Sequence, residues 1–110
     1  MISTHVLDTS QGAPATAIQV KLEKMIPSGL WEKIGENTTD REGRIGSFSN
    51  DSSNTPGTYK LTFFIKSYFE NRKINSFYPQ IEICFQTEAT QHYHVPVLIN
   101  PYGYTTYRGC

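Results

Sequence analysis

Short apolar runs in period two, each closed by turn chemistry, constrain this chain more than any other feature. Strict alternation sends successive side chains to opposite faces of a strand, one face buried and one wet. Ile18, Val20 and Leu22 alternate with Gln19, Lys21 and Glu23. Tyr59, Leu61, Phe63 and Ile65 alternate with Lys60, Thr62 and Lys66. Between such runs lie Gln11-Gly12-Ala13-Pro14, Pro27-Ser28-Gly29, Asp40-Arg41-Glu42-Gly43, Pro56-Gly57 and Asn100-Pro101-Tyr102-Gly103, which are turn and breaker residues. The pattern predicts eight strands. They are Ile2 to Leu7, Ile18 to Glu23, Leu30 to Thr38, a short one opened by Arg44-Ile45, Tyr59 to Lys66, Ile81 to Phe85, His92 to Ile99, and Tyr104 to Arg108. Ser49 to Asn54 reads as polar loop, and Phe64 interrupts an otherwise polar outer face.

One helix is expected after the fifth strand. Ser67-Tyr68-Phe69-Glu70 fits a capping box, with Ser67 as N-cap and Glu70 at N3. Asn75 can close it in a left-handed conformation. At about two turns it must pack on a sheet to be stable. Eight strands and one short helix in 110 residues describe a single all-β domain over 1–110, a Greek-key-like sandwich. The strand order does not follow from the pattern.

Charge excludes several functions. Lys plus Arg and Asp plus Glu both number 10, so nothing draws the chain onto nucleic acid or anionic lipid. No apolar run approaches the length of a membrane span. Met1-Ile2-Ser3-Thr4-His5 has neither the basic nor the apolar region of a secretory signal, so a cytoplasmic location is expected, or a periplasmic one if a leader was trimmed. Cys84 and Cys110 are too few for a disulfide framework.

The chemistry-bearing residues are few. The three histidines are His5, His92 and His94. His92 and His94 share one strand face, while Val95, Val97 and Ile99 take the other, which must be the core. His94, Pro96 and Leu98 therefore lie off the core. Taken alone, the histidines are polar residues on a wet face. In the last strand Thr105 and Tyr107 share one parity, and Thr106 and Arg108 the other; read plainly, this is an edge strand with a charged guard.

The segment His92-Tyr93-His94-Val95-Pro96-Val97-Leu98, followed by Pro101-Tyr102-Gly103-Tyr104-Thr105-Thr106-Tyr107-Arg108-Gly109, strongly resembles the 5-hydroxyisourate hydrolases, the transthyretin-related family. Ser3-Thr4-His5-Val6-Leu7-Asp8 with Gly12-Ala13-Pro14-Ala15 looks like that family's opening motif. Gly43-Arg44-Ile45 and Lys66-Ser67-Tyr68-Phe69 match its middle, so the resemblance runs from Ile2 to Gly109. It implies a transthyretin-like sandwich of two four-stranded sheets. It also implies a homotetramer, a dimer of dimers with sites where the dimers meet. The first, fourth, seventh and eighth strands would form one sheet in the order four-one-seven-eight. Arg44, His5 and His94 would then cross it in a row.

The implied reaction is hydrolysis of 5-hydroxyisourate to 2-oxo-4-hydroxy-4-carboxy-5-ureidoimidazoline in urate degradation, without metal or cofactor. By resemblance His5, Arg44 and His94 form the catalytic set. His5 leans towards the base and His94 towards orienting water or substrate, the choice staying open. Arg108, Tyr107, Thr105, Leu98 and Cys110 fall to substrate binding. Histidine suits proton transfer near neutral pH, and the planar fork of arginine suits a flat imide. Cys110 stands where the family keeps a serine; a terminal contact made through backbone would leave that change nearly silent.

Three rival readings remain. His5, His92 and His94 could be three zinc ligands with an open fourth position. The chain could be a hormone carrier like transthyretin, although carriers have other residues at the positions of His5, Arg44 and His94. It could also be a plain structural sandwich, since fold alone does not fix function.

Overall fold

Two sheets face one another across an apolar layer in a computed structural model of the chain, which describes residues 1–48, 55–89 and 91–110. The polar loop read over Ser49 to Asn54 lies outside the described residues. The first sheet contains β1 (Ile2–Asp8), β2 (Ala13–Pro14), β5 (Arg44–Ile45), β8 (Tyr93–Asn100) and β9 (Gly103–Thr106). The second has the order β4 (Trp31–Thr38), β3 (Gln19–Met25), β6 (Gly57–Phe64), β7 (Ile81–Thr87), all antiparallel. A single short helix, α1 (Lys66–Glu70), follows β6. The all-β sandwich expected from period-two alternation is the observed fold.

The site-bearing sheet runs β5-β1-β8-β9, the order four-one-seven-eight in the eight-strand reading. β1 and β8 are parallel, and β9 returns antiparallel on β8. This sheet has one strand more than expected. Ala13–Pro14, read as a terminator, folds back on β1 with Leu7 opposite Pro14 and Asp8 opposite Ala13. A proline is tolerated there because the pair lies at the sheet edge, where no ladder donor is needed beyond it.

The inward faces match the parity reading. Ile2, Val6, Ile45, Val95, Val97 and Ile99 of the first sheet meet Val20, Leu22, Tyr59, Leu61, Phe63 and Ile81 of the second, all buried. The sheet carrying the histidines therefore has a dry inner face and a wet outer one.

The helix differs from its sequence signature. Ile65, not Ser67, is the N-cap, and no side chain caps the first turn. The helix has 5 residues rather than two full turns. Lys73, not Asn75, adopts the left-handed conformation (φ 57°). Its neighbour Ile74 donates N–H to the Phe69 carbonyl at 3.0 Å, closing the helix as a Schellman-type turn does. Burial of Tyr68 and Phe69 decides the start, placing the buried Ile65 where a polar cap would otherwise sit.

α1 is also tied to β1 through a buried carboxylate. Asp8 is wholly buried, and its Oδ2 accepts a hydrogen bond from the Tyr68 hydroxyl at 2.8 Å. Its Oδ1 accepts from the Ser10 amide at 2.9 Å and the Ser10 hydroxyl at 2.5 Å. Burial, and then the adjacent Asp8, push the Tyr68 hydroxyl up to about 12. A buried carboxylate is tolerable only with such partners. No helix among the described residues is long and apolar enough to cross a membrane.

Candidate active site

The outer face of the first sheet collects the candidate residues by register. His5 on β1 lies opposite Arg44 on β5 and opposite Pro96 on β8. Ser3 lies opposite His94, and Leu7 opposite Leu98. On the far side of β8, Thr105 lies opposite Leu98. Partners in register share a face, so Arg44, His5, Ser3, His94, Leu98 and Thr105 all belong to this one. Arg44 and His5 are direct neighbours, whereas His94 sits one same-face step along β8, beside Ser3 rather than His5. The expected straight row of three is thus staggered.

A tight turn sets Arg44. Asp40 accepts the amide hydrogens of Glu42 (2.8 Å) and Arg44 (2.9 Å) on Oδ1. Those two amides hold the Asp40 carboxyl below its usual value, with lesser help from the charges of Arg44 and His5. Gly43 has φ 77°, and a Cβ there would strike the Val6 carbonyl, so the turn requires glycine. The turn also presents the Glu42 carbonyl to His5, whose Nε2 lies 2.8 Å away. A carbonyl oxygen only accepts, so Nε2 must carry the hydrogen. In the neutral ring, Nδ1 then holds the basic lone pair.

His94 is held differently. Its Nδ1 lies 2.8 Å from the Ser3 hydroxyl oxygen, and His92 Nε2 lies 2.6 Å from that same oxygen. Burial, and then the nearby His92, Arg44 and His5, push the His94 imidazole below its usual value. Both effects disfavour the protonated form of His94. Gly109 bridges to His94 and donates its amide to the His94 carbonyl at 2.8 Å. A Cβ on Gly109 would stand 2.6 Å from His94 Cδ2, so only glycine lets the last segment lie against the ring.

The remaining candidates divide. Leu98 is half-buried, Thr105 opposite it is exposed, and Tyr107 is exposed. Cys110 is exposed and free, as is Cys84 on the wet side of β7. Arg108 is not brought to the histidine face; its guanidinium lies over the Tyr93 ring, 4.9 Å from the centroid, on the side of the sheet that Val95 shares. That agrees with the separate parity of Arg108 and Tyr107. His92 joins the site through Ser3 and through an edge contact with the His94 ring, centroids 6.2 Å apart. Ser3 itself was missed as a functional residue, although it shares strand parity with His5. A hollow beside α1, lined by Lys66, Glu70, Ile74 and Phe77, holds none of the candidates. Among the described residues, no group of three His, Cys, Asp or Glu side chains is placed to hold a metal ion.

The fold is thus a β-sandwich whose outer sheet face carries two differently held imidazoles beside an arginine. The chain belongs to the HIUase/Transthyretin family, whose pattern matches residues 2–109. It is 44% identical over 109 residues to a probable 5-hydroxyisourate hydrolase of Caenorhabditis elegans, covering 98% of this chain and 80% of that one. Its fold superimposes on the 5-hydroxyisourate hydrolase of Klebsiella pneumoniae with a TM-score of 0.87 at 34% identity, covering 99% of this chain and 98% of the other. Sea bream transthyretin in complex with thyroxine gives a TM-score of 0.91 at 27% identity, covering 98% of this chain and 93% of that one. Backbone likeness does not separate hydrolase from carrier here, so the side chains on the outer face must.

Proposed function

We propose that this chain hydrolyses 5-hydroxyisourate to 2-oxo-4-hydroxy-4-carboxy-5-ureidoimidazoline, as its similarity to named 5-hydroxyisourate hydrolases suggests. The observation that carries the reading is the His5–Arg44 pair, adjacent in register, with the His5 tautomer fixed by the Glu42 carbonyl. Such a histidine offers Nδ1 as a base to water without first having to shift its proton. Arg44 keeps its charge and supplies donors to the carbonyl oxygen as negative charge develops there. The water oxygen bonds to the ring carbonyl carbon, and the carbon–nitrogen bond breaks. The departing nitrogen needs a proton, which a neutral His94 can give from Nε2. Leu98, Thr105 and Tyr107 flank the flat substrate, with Cys110 at the margin. Arg108 reaches it by rotating off the Tyr93 ring.

The open outer face supports a homotetramer in which two dimers close over it. A surface this shallow leaves a substrate wet on one side, and a second sheet would exclude that water. No metal or cofactor enters the reading.

His5→Ala and Arg44→Ala test the assignment of roles. Each should lower kcat/KM on 5-hydroxyisourate by roughly a hundredfold or more, the scale of general base or oxyanion help. Circular dichroism should show both variants folded. Retained activity in both would move the site elsewhere.

A further inference from the structure

Ser3 and His92 belong to no part of the mechanism above, yet they share a hydrogen-bonded chain with His94. The Ser3 oxygen stands 2.6 Å from His92 Nε2 and 2.8 Å from His94 Nδ1. Ser3 is buried, His94 half-buried and His92 exposed. The chain therefore runs from solvent to the site.

A hydroxyl has one hydrogen to give and lone pairs to receive. When His92 is an imidazolium, both its nitrogens carry hydrogen, so Nε2 must donate to the Ser3 oxygen. Ser3, already receiving on that side, then donates to His94 Nδ1. His94 Nδ1 must accept, which leaves the ring hydrogen of neutral His94 on Nε2. When His92 is neutral, the chain can run either way. We infer that the protonation state of His92, read through the Ser3 hydroxyl, sets the tautomer of His94, making Ser3 and His92 positioning residues for its role as proton donor. This rests on the hydrolase reading above.

The protons balance. His94 gives its Nε2 hydrogen to the departing ring nitrogen while Nδ1 takes the hydroxyl hydrogen of Ser3. Ser3 takes the Nε2 hydrogen of His92, and the imidazolium becomes neutral imidazole. His5 holds the proton removed from water. Solvent then protonates His94 Nε2 as its Nδ1 hydrogen passes back through Ser3 to His92, and His5 releases its proton to solvent.

Burial and neighbouring charge set His94 apart from the exposed His92. His94 is held below its ordinary value by burial and by the nearby His92, Arg44 and His5. Around His92, which lies just before β8, are Ser3 of β1 and His94 of β8, with Cys110 following the Gly109 that bridges to His94. The N-terminal ammonium bonds the Gln91 carbonyl next to it, and Arg108 lies over Tyr93. Those two cations oppose a charge on His92, but its exposure lets water stabilise it.

The test uses the full chain without substrate, then with it. Nitrogen-15 NMR of the imidazoles reads tautomer directly. In the wild type, His94 Nδ1 should move towards an unprotonated, accepting nitrogen as acid charges His92. Ser3→Ala should abolish that response. His92→Gln, whose amide donates at every pH, should hold His94 in the Nε2-hydrogen form throughout. In turnover, Ser3→Ala should lose roughly tenfold or more in kcat with little change in KM, since general acid help is worth about 10²–10⁴. Ser3→Thr should recover most of the loss. A His94 tautomer indifferent to His92 titration, or unchanged by Ser3→Ala, overturns the coupling. A wild type that shows the coupling but no turnover overturns the hydrolase reading alone.

Discussion

At the scale of single residues, the site is defined by what each imidazole may donate. His5 has its hydrogen fixed on Nε2 by a carbonyl, while the hydrogen of His94 is negotiated through Ser3. The positions of His5, His94 and Arg44 were legible in the sequence, because period two puts residues on faces and the family motifs name them. The Ser3 link was not. It depends on the parallel pairing of β1 with β8, which joins residues 91 positions apart. Gly109 is a second such case. Its place in the terminal motif is legible in sequence, but not that an added Cβ would stand 2.6 Å from His94 Cδ2. Gly109→Ala should therefore push the His94 ring aside. The expected result is a tenfold or greater loss of kcat/KM, since small misplacement of a reacting group is costly, with the thermal midpoint nearly unchanged. Equal activity would show that the ring is not held by this contact.

At the scale of elements, two short pieces illustrate where local signals win and lose. The Asp40 turn behaves as its residues dictate, with an Asx-type side chain closing on the amides of Glu42 and Arg44. Because the Asp40 carboxyl is depressed in the fold, its contribution to stability is present above its ordinary value of 3.8 and is lost as pH falls through the lower folded value. Asp40→Ala should thus lower the thermal midpoint at neutral pH and weaken its fall below about pH 4. It should also lower turnover by loosening Arg44. An acid profile identical to wild type would mean the carboxylate is not coupled to folding. The helix shows the opposite outcome. Its capping-box sequence is present, but Ser67 sits inside the helix and Ile65 starts it. Tertiary burial of Tyr68 and Phe69 overrides the local signal. Denaturant titration should show Ser67→Ala within about 0.5 kcal/mol of wild type. Phe69→Ala should cost about 3–5 kcal/mol by emptying the core. Comparable losses in both would restore the capping role.

At the scale of the whole molecule, a body of 40 × 27 × 22 Å places its candidate site on an open sheet face. The eight-strand arithmetic anticipated the sandwich and its inward faces. It missed β2, because a two-residue strand containing proline carries no alternation to read. The tetramer proposed to cover the face has a direct consequence. Leu98 is half-buried on this face, opposite the half-buried Leu7 on β1 and Thr105 on β9. Leu98→Glu would bury an unpaired charge where sheets meet. Sedimentation should show smaller species, and activity should fall with them. A tetramer of full activity would place the interface on another face.

The central claim is that the outer face turns over 5-hydroxyisourate. Generating that compound from urate with urate oxidase, and following its ultraviolet decay with and without this protein, tests the claim directly. Decay should run well above the spontaneous rate and in proportion to the protein added. Decay no faster than in buffer would contradict it.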